Sequence, residues 1–167
     1  MPMMIRNAKN EDRTALTALS LQVWLDTYAI DGINTEISGH VLSLFTPEHF
    51  DRVMDDPGCR VLVCTEGAYL RGYALVNLAS RFEGDEHGFE IEKLYVHTPF
   101  QGRGIGRNLL DEIRARYGSP FWLYTWVRNP SIAFYKRYGF RDIGRYDLVF
   151  DSGRVENRVL GFGREKG

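Results

Sequence analysis

Apolar positions recur along this chain with the two periods that are typical of helices and strands. They recur at helical spacing after the acidic cluster at 10–12, which predicts a first helix with one apolar face. A second helix is expected over 35–45. Thr46 followed by Pro47 has the form of an N-cap and a first helical residue, so a third helix should begin there.

Runs rich in β-branched and aromatic residues predict the strands. In chain order, strands are expected at 4–6, 60–66, 70–79, 89–96, 121–126, 141–150 and 155–163. Two further helices are expected between strands, over 106–117 and 129–138. Because a strand–helix–strand unit joins parallel strands, the order of elements predicts a mixed α/β sheet.

The composition is that of an ordinary globular protein. The 167 residues are 44% hydrophobic and 26% charged, which favours one folded domain over 1–167 and excludes a disordered or fibrous chain. The net charge is -1, but residues 1–100 carry 8 basic and 15 acidic side chains, and residues 101–167 carry 13 and 7. This distribution argues against a general nucleic-acid binder and permits an anion site in the C-terminal part.

Neither the cysteines nor the apolar runs indicate a metal site or a membrane segment. Cys59 and Cys64 should point to opposite faces of one strand, which disfavours a disulfide, and no cysteine or histidine spacing predicts a metal site. No apolar run approaches the ~18 residues of a membrane-spanning helix. Residues 1–6 do not resemble a signal peptide. We therefore expect a cytoplasmic protein without a metal or a membrane partner.

The segment with the clearest chemical meaning is the glycine-rich turn at 101–107, which follows the strand expected at 89–96. Its three glycines let the backbone approach a ligand, and amide groups at a helix N-terminus attract an anion. Arg103 and Arg107 add positive charge. The spacing fits neither the P-loop nor the dinucleotide-binding fingerprint. The turn predicts a pyrophosphate site, and a simple connection from strand to helix is the alternative.

The sequence Q-G-R-G-I-G at 101–106 resembles the [QR]-x-x-G-x-[GA] motif of the GCN5-related N-acetyltransferases (GNAT). Residues 89–96 are similar to the fourth strand of that family, and residues 129–140 are similar to a later block of it. The resemblance covers about 60–150. It implies a mixed central sheet of about six to seven strands, with helices on both faces and with the fourth and fifth strands splayed apart.

A looser resemblance is to the bacterial polyamine (spermidine/spermine) acetyltransferases. It rests on residues 26–29, 35–45 and 72–74.

The GNAT resemblance implies direct transfer of an acetyl group from acetyl-CoA to an amine. Backbone groups of the fourth strand would hold the pantetheine, with a bulge in that strand, and the glycine-rich turn would hold the pyrophosphate. Asn129 would cap the following helix, contact the pantetheine, or do both. The implied cofactor-binding residues are Leu94, Tyr95, Val96, Gln101, Gly102, Arg103, Gly104, Ile105, Gly106, Arg107, Asn129 and Tyr135.

Two acidic residues and one tyrosine are the candidates for proton transfer. An ammonium must lose a proton before it attacks a thioester, and Glu92 or Glu90 could accept that proton directly or through water. We favour Glu92, which lies where the family often has its base. Tyr135 matches the family's tyrosine that points at the CoA sulfur, and a phenol can donate a proton there. The structural alternatives are that Glu90 and Glu92 are ordinary exposed acids of a strand and that Tyr135 is an aromatic packing residue of a helix.

The acceptor is expected to be a small cationic amine, such as a polyamine. The segment 83–92 carries five acidic residues and, apart from His87, no basic one. Trp24, Tyr28 and Tyr69 could line the same pocket. The alternatives are protein N-terminal or lysine acetylation, a non-catalytic acetyl-CoA-binding module, and an unrelated nucleotide-binding regulator. The family also implies a possible homodimer.

Overall fold

A seven-stranded mixed sheet organises the chain, as seen in a computed structural model that describes residues 2–150 and 153–163. The strands are β1 (Met3–Asn7), β2 (Cys59–Glu66), β3 (Tyr69–Asn77), β4 (Phe89–Val96), β5 (Phe121–Trp126), β6 (Arg141–Phe150) and β7 (Gly153–Phe162). They lie side by side in the order β1-β2-β3-β4-β5-β7-β6. All neighbours are antiparallel except β4 and β5, which are parallel. The predicted mixed sheet is confirmed.

In the described part of the chain, five α-helices lie on the two faces of this sheet. They are α1 (Arg13–Tyr28), α2 (Thr35–Leu44), α3 (Pro47–Asp55), α4 (Ile105–Tyr117) and α5 (Ile132–Tyr138). Helices α1 to α3 connect β1 with β2, and α4 is the crossover between the parallel strands β4 and β5. Among residues 2–150 and 153–163, no helix combines the length and the apolar character that a membrane crossing requires.

Each face of the sheet has its own hydrophobic core. Helices α1 to α3 pack on a core that contains Leu16, Phe50 and Tyr73. Helices α4 and α5 pack on a second core, to which the other face of the strands contributes. Cys59 lies in the first core and Cys64 in the second, and both are free thiols. The prediction that they point to opposite faces is confirmed.

Local sequence accounts for where several helices begin. The side-chain oxygen of Thr46 accepts a hydrogen bond of 3.0 Å from the His49 backbone N–H, and Pro47 is the first residue of α3, as predicted. Asn34 caps α2 in the same way, with a hydrogen bond of 2.8 Å from the N–H of Ile37.

Helix α5 begins later than predicted. The sequence indicated a helix over 129–138 with Asn129 as its N-cap, whereas the structure has Ser131 as the N-cap and Ile132 as the first helical residue. Asn129 and Pro130 lie in a turn before the helix, in which the Ile132 backbone N–H donates a hydrogen bond of 3.2 Å to the Asn129 carbonyl oxygen. The Asn129 side chain instead accepts a hydrogen bond of 2.9 Å from the Ser131 backbone N–H and so fixes the turn before the helix.

Candidate active site

Strands β4 and β5 separate after a short parallel contact. They are paired only at Phe89 with Phe121 and at Glu90 with Trp122, whereas the other edge of β5 is paired with β7 over its whole length. A gap therefore opens between β4 and β5 from Ile91 onward. The expected splay of the fourth and fifth strands is confirmed.

A β-bulge interrupts β4 beside this gap. Leu75 of β3 lies opposite Lys93, but the next residue, Val76, lies opposite Ile91. Glu92 is therefore the extra residue of the bulge, in the strand where the family resemblance implies one. Because a bulge breaks the strict alternation of side chains, Glu92 and Lys93 can face the same side of the sheet.

The backbone of β4 presents polar groups to the gap at alternate residues. The His97 N–H donates a hydrogen bond of 2.8 Å to the Arg71 carbonyl oxygen on β3. In an antiparallel pair, residues alternate between bonding the partner strand and facing away from it. Leu94 and Val96 therefore turn their N–H and C=O groups towards the gap. Tyr95, which was predicted with them, bonds β3 instead.

The glycine-rich turn, residues 101–107, connects β4 to α4. Gly102 and Gly104 have φ angles of +79° and +86°, and no neighbouring atom lies within 4 Å of where a Cβ would stand. Gly104 is the N-cap of α4, so the first amides of the helix are left without intrahelical partners. The Gln101 side-chain amide donates a hydrogen bond of 3.2 Å to the Val96 carbonyl oxygen and ties the turn to β4.

The other side chains of the turn divide between solvent and core. Arg103 and Arg107 are exposed, and the Arg103 guanidinium lies 5.0 Å from the centre of the Phe100 ring. Ile105 is buried in the core under α4, so only its backbone can reach a ligand. An open turn at a helix N-terminus with two exposed cations fits an anionic pyrophosphate.

Helix α5 places Tyr135 in the hydrophobic core that also contains Ile105 of the glycine-rich turn. Tyr135 is 8% exposed and packs against the rings of Phe134 and Phe140. Burial raises the pKa of its phenol well above the ordinary value, so the hydroxyl keeps its proton. Asn129, which precedes α5, donates a hydrogen bond of 2.9 Å from its side-chain amide to the hydroxyl of Thr125 at the end of β5.

A cleft of about 620 Å³ lies beside β4 on the side of the β3–β4 loop. Its walls come from the β3–β4 loop and from strands β4, β5, β6 and β7. The lining residues are Ser80, Arg81, Phe82, Glu83, Glu90, Glu92, Lys93, Trp122, Tyr124, Arg145, Tyr146 and Val159. Its volume is in the range of pockets that hold small ligands.

The two candidate bases lie together in this cleft, but the protein holds them differently. Glu90 is 6% exposed and accepts a hydrogen bond of 2.8 Å from the Ser80 hydroxyl. Burial raises the pKa of its carboxyl group. Glu92 is only half-buried and accepts a hydrogen bond of 3.2 Å from the Asn77 side-chain amide. Glu92 is thus the more accessible of the two carboxylates.

The basic residues of the cleft are largely compensated. Arg81 lies 3.5 Å from Asp85, and Arg145 forms ion pairs with Asp147 at 3.0 Å and with Glu156 at 3.4 Å. Burial lowers the pKa of Lys93, so its ammonium form is held less firmly than in water.

Several residues of the cleft were missed at the level of sequence. Tyr124 and Tyr146, whose ring centres are 5.1 Å apart, belong to strands that meet only through β7. The indole N–H of Trp122 has no hydrogen-bond partner among the described residues. The alternation of residues along β5 could have placed Trp122 and Tyr124 on one face. No local signal indicated that β6 would join them.

The three aromatic residues suggested for the acceptor pocket lie in two separate places. Trp24 and Tyr28 pack on each other at the end of α1, and Tyr28 also packs on Trp126 at the end of β5. Tyr69 is 68% exposed at the start of β3, where the Arg71 guanidinium lies over its ring. Tyr69 is therefore excluded from this pocket.

Comparison with known proteins identifies the chain. The acetyltransferase (GNAT) domain family matches residues 57–142, and the chain belongs to this family. An uncharacterized N-acetyltransferase of Lactobacillus delbrueckii subsp. lactis is 24% identical over 163 residues, 93% of this chain and 94% of that protein. The N-alpha-acetyltransferase RimI of Mycobacterium tuberculosis is 31% identical over 100 residues, 59% of this chain and 62% of that protein.

The fold has relatives among solved structures. The PaiA N-acetyltransferase of Thermoplasma acidophilum, solved in complex with coenzyme A, superposes with a TM-score of 0.75 at 19% identity, over 97% of this chain and 99% of that one. The chain is an N-acetyltransferase that uses acetyl-CoA. In the part of the chain that the structure describes, no group of three or more His, Cys, Asp or Glu side chains could hold a metal ion.

Proposed function

We propose that this chain, as a single domain over 1–167, moves the acetyl group directly from acetyl-CoA to the primary amine of a small cationic acceptor, such as a polyamine. The observation that carries the proposal is the charge of the cleft. None of the ion pairs among the described residues involves Glu83, Glu90 or Glu92. Glu83 and Glu92 are therefore available to a cation, whereas Arg81 and Arg145 are paired with acids and burial lowers the pKa of Lys93.

The β4–β5 gap and the glycine-rich turn supply the groups that we propose to bind the cofactor. The free amides at the start of α4, with Arg103 and Arg107, would hold the pyrophosphate. Backbone groups of Leu94 and Val96 face the gap and would pair with the amide-containing pantetheine arm, near Asn129. When bound, acetyl-CoA supplies the thioester from which the acetyl group leaves. A backbone N–H of β4 would polarise the thioester carbonyl.

Glu92 is proposed as the base that takes a proton from the acceptor ammonium. It lies on the bulge and lines the cleft, and its half-exposed carboxylate can reach a ligand or a bridging water. Glu90 is the second candidate, but it is only 6% exposed and accepts a hydrogen bond from the Ser80 hydroxyl. We place Glu90 as a support for the negative field of the cleft.

Tyr135 is proposed as the acid. Burial keeps its phenol protonated, so the hydroxyl can donate a proton or a hydrogen bond to the departing sulfur. The two proton-transfer groups then belong to different elements, Glu92 to β4 and Tyr135 to α5. The amine and the thioester would meet between them, and positioning supplies much of the rate.

A second candidate function is acetylation of a protein or peptide N-terminus. Two observations favour it: the similarity to an N-alpha-acetyltransferase and the unpartnered, buried N–H of Trp122 in the cleft wall. A peptide N-terminus carries a carbonyl oxygen that could accept a hydrogen bond from this N–H, and a polyamine carries none.

The test is a screen of amines with acetyl-CoA, in which free thiol release and the mass of the product are both measured. We expect spermidine and related amines to be acetylated with higher kcat/KM than neutral or acidic amines of similar length. Equal rates for neutral amines would contradict a cationic acceptor. Preference for peptides with a free N-terminus would favour the second candidate, and no acetylated product with any amine would favour a binding module.

We also propose a homodimer in the cytoplasm. Val149 on the edge strand β6 is 75% exposed and could pack against a second copy. Both cysteines are unpaired thiols, as is common in a reducing compartment. Light scattering after size exclusion would give the mass in solution, and a mass of one chain would contradict the dimer.

A further inference from the structure

Three polar side chains form a hydrogen-bonded cluster that the proposed chemistry does not use. The Thr98 hydroxyl donates a hydrogen bond of 2.7 Å to the Asp26 carboxylate. The Gln22 side-chain amide contacts both Asp26 and Thr98, and its oxygen lies 3.5 Å from the Thr98 backbone N. We call Gln22, Asp26 and Thr98 the α1 clasp.

The clasp joins two elements that lie far apart in sequence. Gln22 and Asp26 belong to the last two turns of α1, and Thr98 begins the short 3-10 turn Thr98–Phe100. This turn leads directly into the glycine-rich turn at 101–107. On its other side it is held by Arg71, whose guanidinium lies 3.7 Å from the centre of the Phe100 ring. The entrance to the glycine-rich turn is therefore fixed from two directions.

Asp26 does not stabilise the helix on which it lies. The C-terminal end of a helix carries partial negative charge, so a carboxylate in the last turn is unfavourable there. A negative charge near the entrance of a pyrophosphate site would also repel the pyrophosphate and weaken its binding. The hydrogen bonds that Asp26 accepts from Thr98 and Gln22 offset these costs and tie the end of α1 to the segment that precedes the glycine-rich turn.

We propose that Asp26 and Gln22 are positioning residues for cofactor binding. They act through Thr98, which they hold in the geometry that sets the direction in which the glycine-rich turn leaves β4. The proposal rests on the proposed binding of the pyrophosphate at residues 101–107. It assigns to the end of α1 a role in acetyl-CoA affinity, although α1 supplies no atom to the turn itself.

The first test compares Asp26→Ala with Asp31→Ala. Asp31 follows α1, is exposed, and has no part in the clasp. We expect Asp26→Ala to raise the Kd for CoA about three- to tenfold, the scale of one or two hydrogen bonds, while its Tm stays equal or rises because an unfavourable helix-end charge is removed. Asp31→Ala should keep the wild-type Kd. An unchanged or lower Kd in Asp26→Ala would overturn the proposal.

The second test isolates the hydroxyl of Thr98. Thr98→Val keeps the shape and removes the hydroxyl, and it should raise the Kd and the KM for acetyl-CoA with little change in kcat. Thr98→Ser restores the hydroxyl and should restore both constants. Equal weakening in the valine and serine variants would contradict the clasp, since the hydroxyl would then be irrelevant.

CoA binding by the variant Gly104→Asp tests the pyrophosphate site, on which the role of the clasp depends. If Gly104→Asp abolishes CoA binding and the clasp variants bind normally, only the clasp is wrong. If Gly104→Asp binds CoA normally, the pyrophosphate site is wrong and the clasp with it.

Discussion

At the scale of single residues, Glu90 and Glu92 illustrate how one strand can hold two carboxylates in different states. Glu90 lies in the regular part of β4 and is almost fully buried, and Glu92 lies on the bulge and remains half-exposed. Because burial disfavours a charged carboxylate, the pKa of Glu90 is raised. This difference separates the effects expected of the two glutamine variants.

Glu90→Gln should change stability in a way that depends on pH. A carboxyl group whose pKa is higher in the folded than in the unfolded state costs stability as pH rises from the unfolded pKa through the folded one. Glutamine keeps an oxygen that can accept the Ser80 hydrogen bond and avoids the buried charge. We expect the variant to exceed the wild type in Tm at pH 8 and to lose that advantage near pH 4. A constant difference at both pH values would contradict the buried-charge explanation.

Glu92→Gln should lower the rate most at low pH. Fewer acceptor molecules are free amines there, so removal of the base matters most, and we expect a loss of about a hundredfold. The rate should approach that of the wild type as pH nears the pKa of the amine. Glu83→Gln removes a charge from the same cleft and should keep the wild-type pH profile while raising the KM for a cationic amine. A wild-type profile in Glu92→Gln would remove Glu92 from the mechanism.

Tyr135→Phe should lower kcat by about tenfold to a hundredfold and leave the Kd for CoA nearly unchanged, because only the proton donor is lost. Tyr138→Phe is the matched control on the same helix. Its hydroxyl bonds Asp111 at 2.7 Å, away from the candidate site, so kcat should not change. Steady-state kinetics together with calorimetric CoA binding would separate the two effects. Equal kcat in the wild type and Tyr135→Phe would refute the acid role.

At the scale of elements, substitutions at Gly104 test whether the glycine-rich turn binds the pyrophosphate. Gly104→Asp introduces a carboxylate where the pyrophosphate is proposed to bind, and CoA binding should be abolished. Gly104→Ala introduces the same strain at a φ of +86° without the charge, and it should cost roughly 1 kcal/mol of stability but retain measurable binding. Binding is checked by calorimetry and stability by thermal unfolding. Normal CoA affinity in Gly104→Asp would contradict the site.

The elements themselves were largely predictable from the sequence. The strands expected at 89–96 and 121–126 have those bounds in the structure. The first alternates apolar and acidic residues after Gly88, and the second is rich in aromatic residues after Pro120. The start of α5 was misplaced by three residues, because the Asn129 side chain bonds the Ser131 backbone N–H in a turn that precedes the helix. Element type was thus easier to predict than element boundaries.

The cleft was less predictable than the turn. The glycine-rich turn is local, and its seven residues carry its chemistry. The cleft depends on β7 lying between β5 and β6, which brings Arg145 and Tyr146 beside Glu90 from a distant part of the sequence. The bulge at Glu92 is also a property of pairing between strands. Long-range pairing leaves no local signal in a single sequence.

At the scale of the whole molecule, the net charge of -1 conceals two regions of opposite charge. Basic residues near α4 lie where the anionic cofactor is proposed to bind, and the acidic residues of β4 and the preceding loop line the acceptor cleft. The β4–β5 gap lies between these two regions. Opposite charges on the two sides would guide an anion and a cation to one meeting point.

The most direct test of this arrangement is a crystal structure with CoA and spermidine bound. We expect the pyrophosphate to lie on the amides at the start of α4 and the sulfur to lie in the β4–β5 gap. The sulfur should lie within about 3.5 Å of the Tyr135 hydroxyl oxygen. One ammonium should lie in the cleft beside Glu92. A sulfur outside the gap, or an amine bound away from the cleft, would contradict the account.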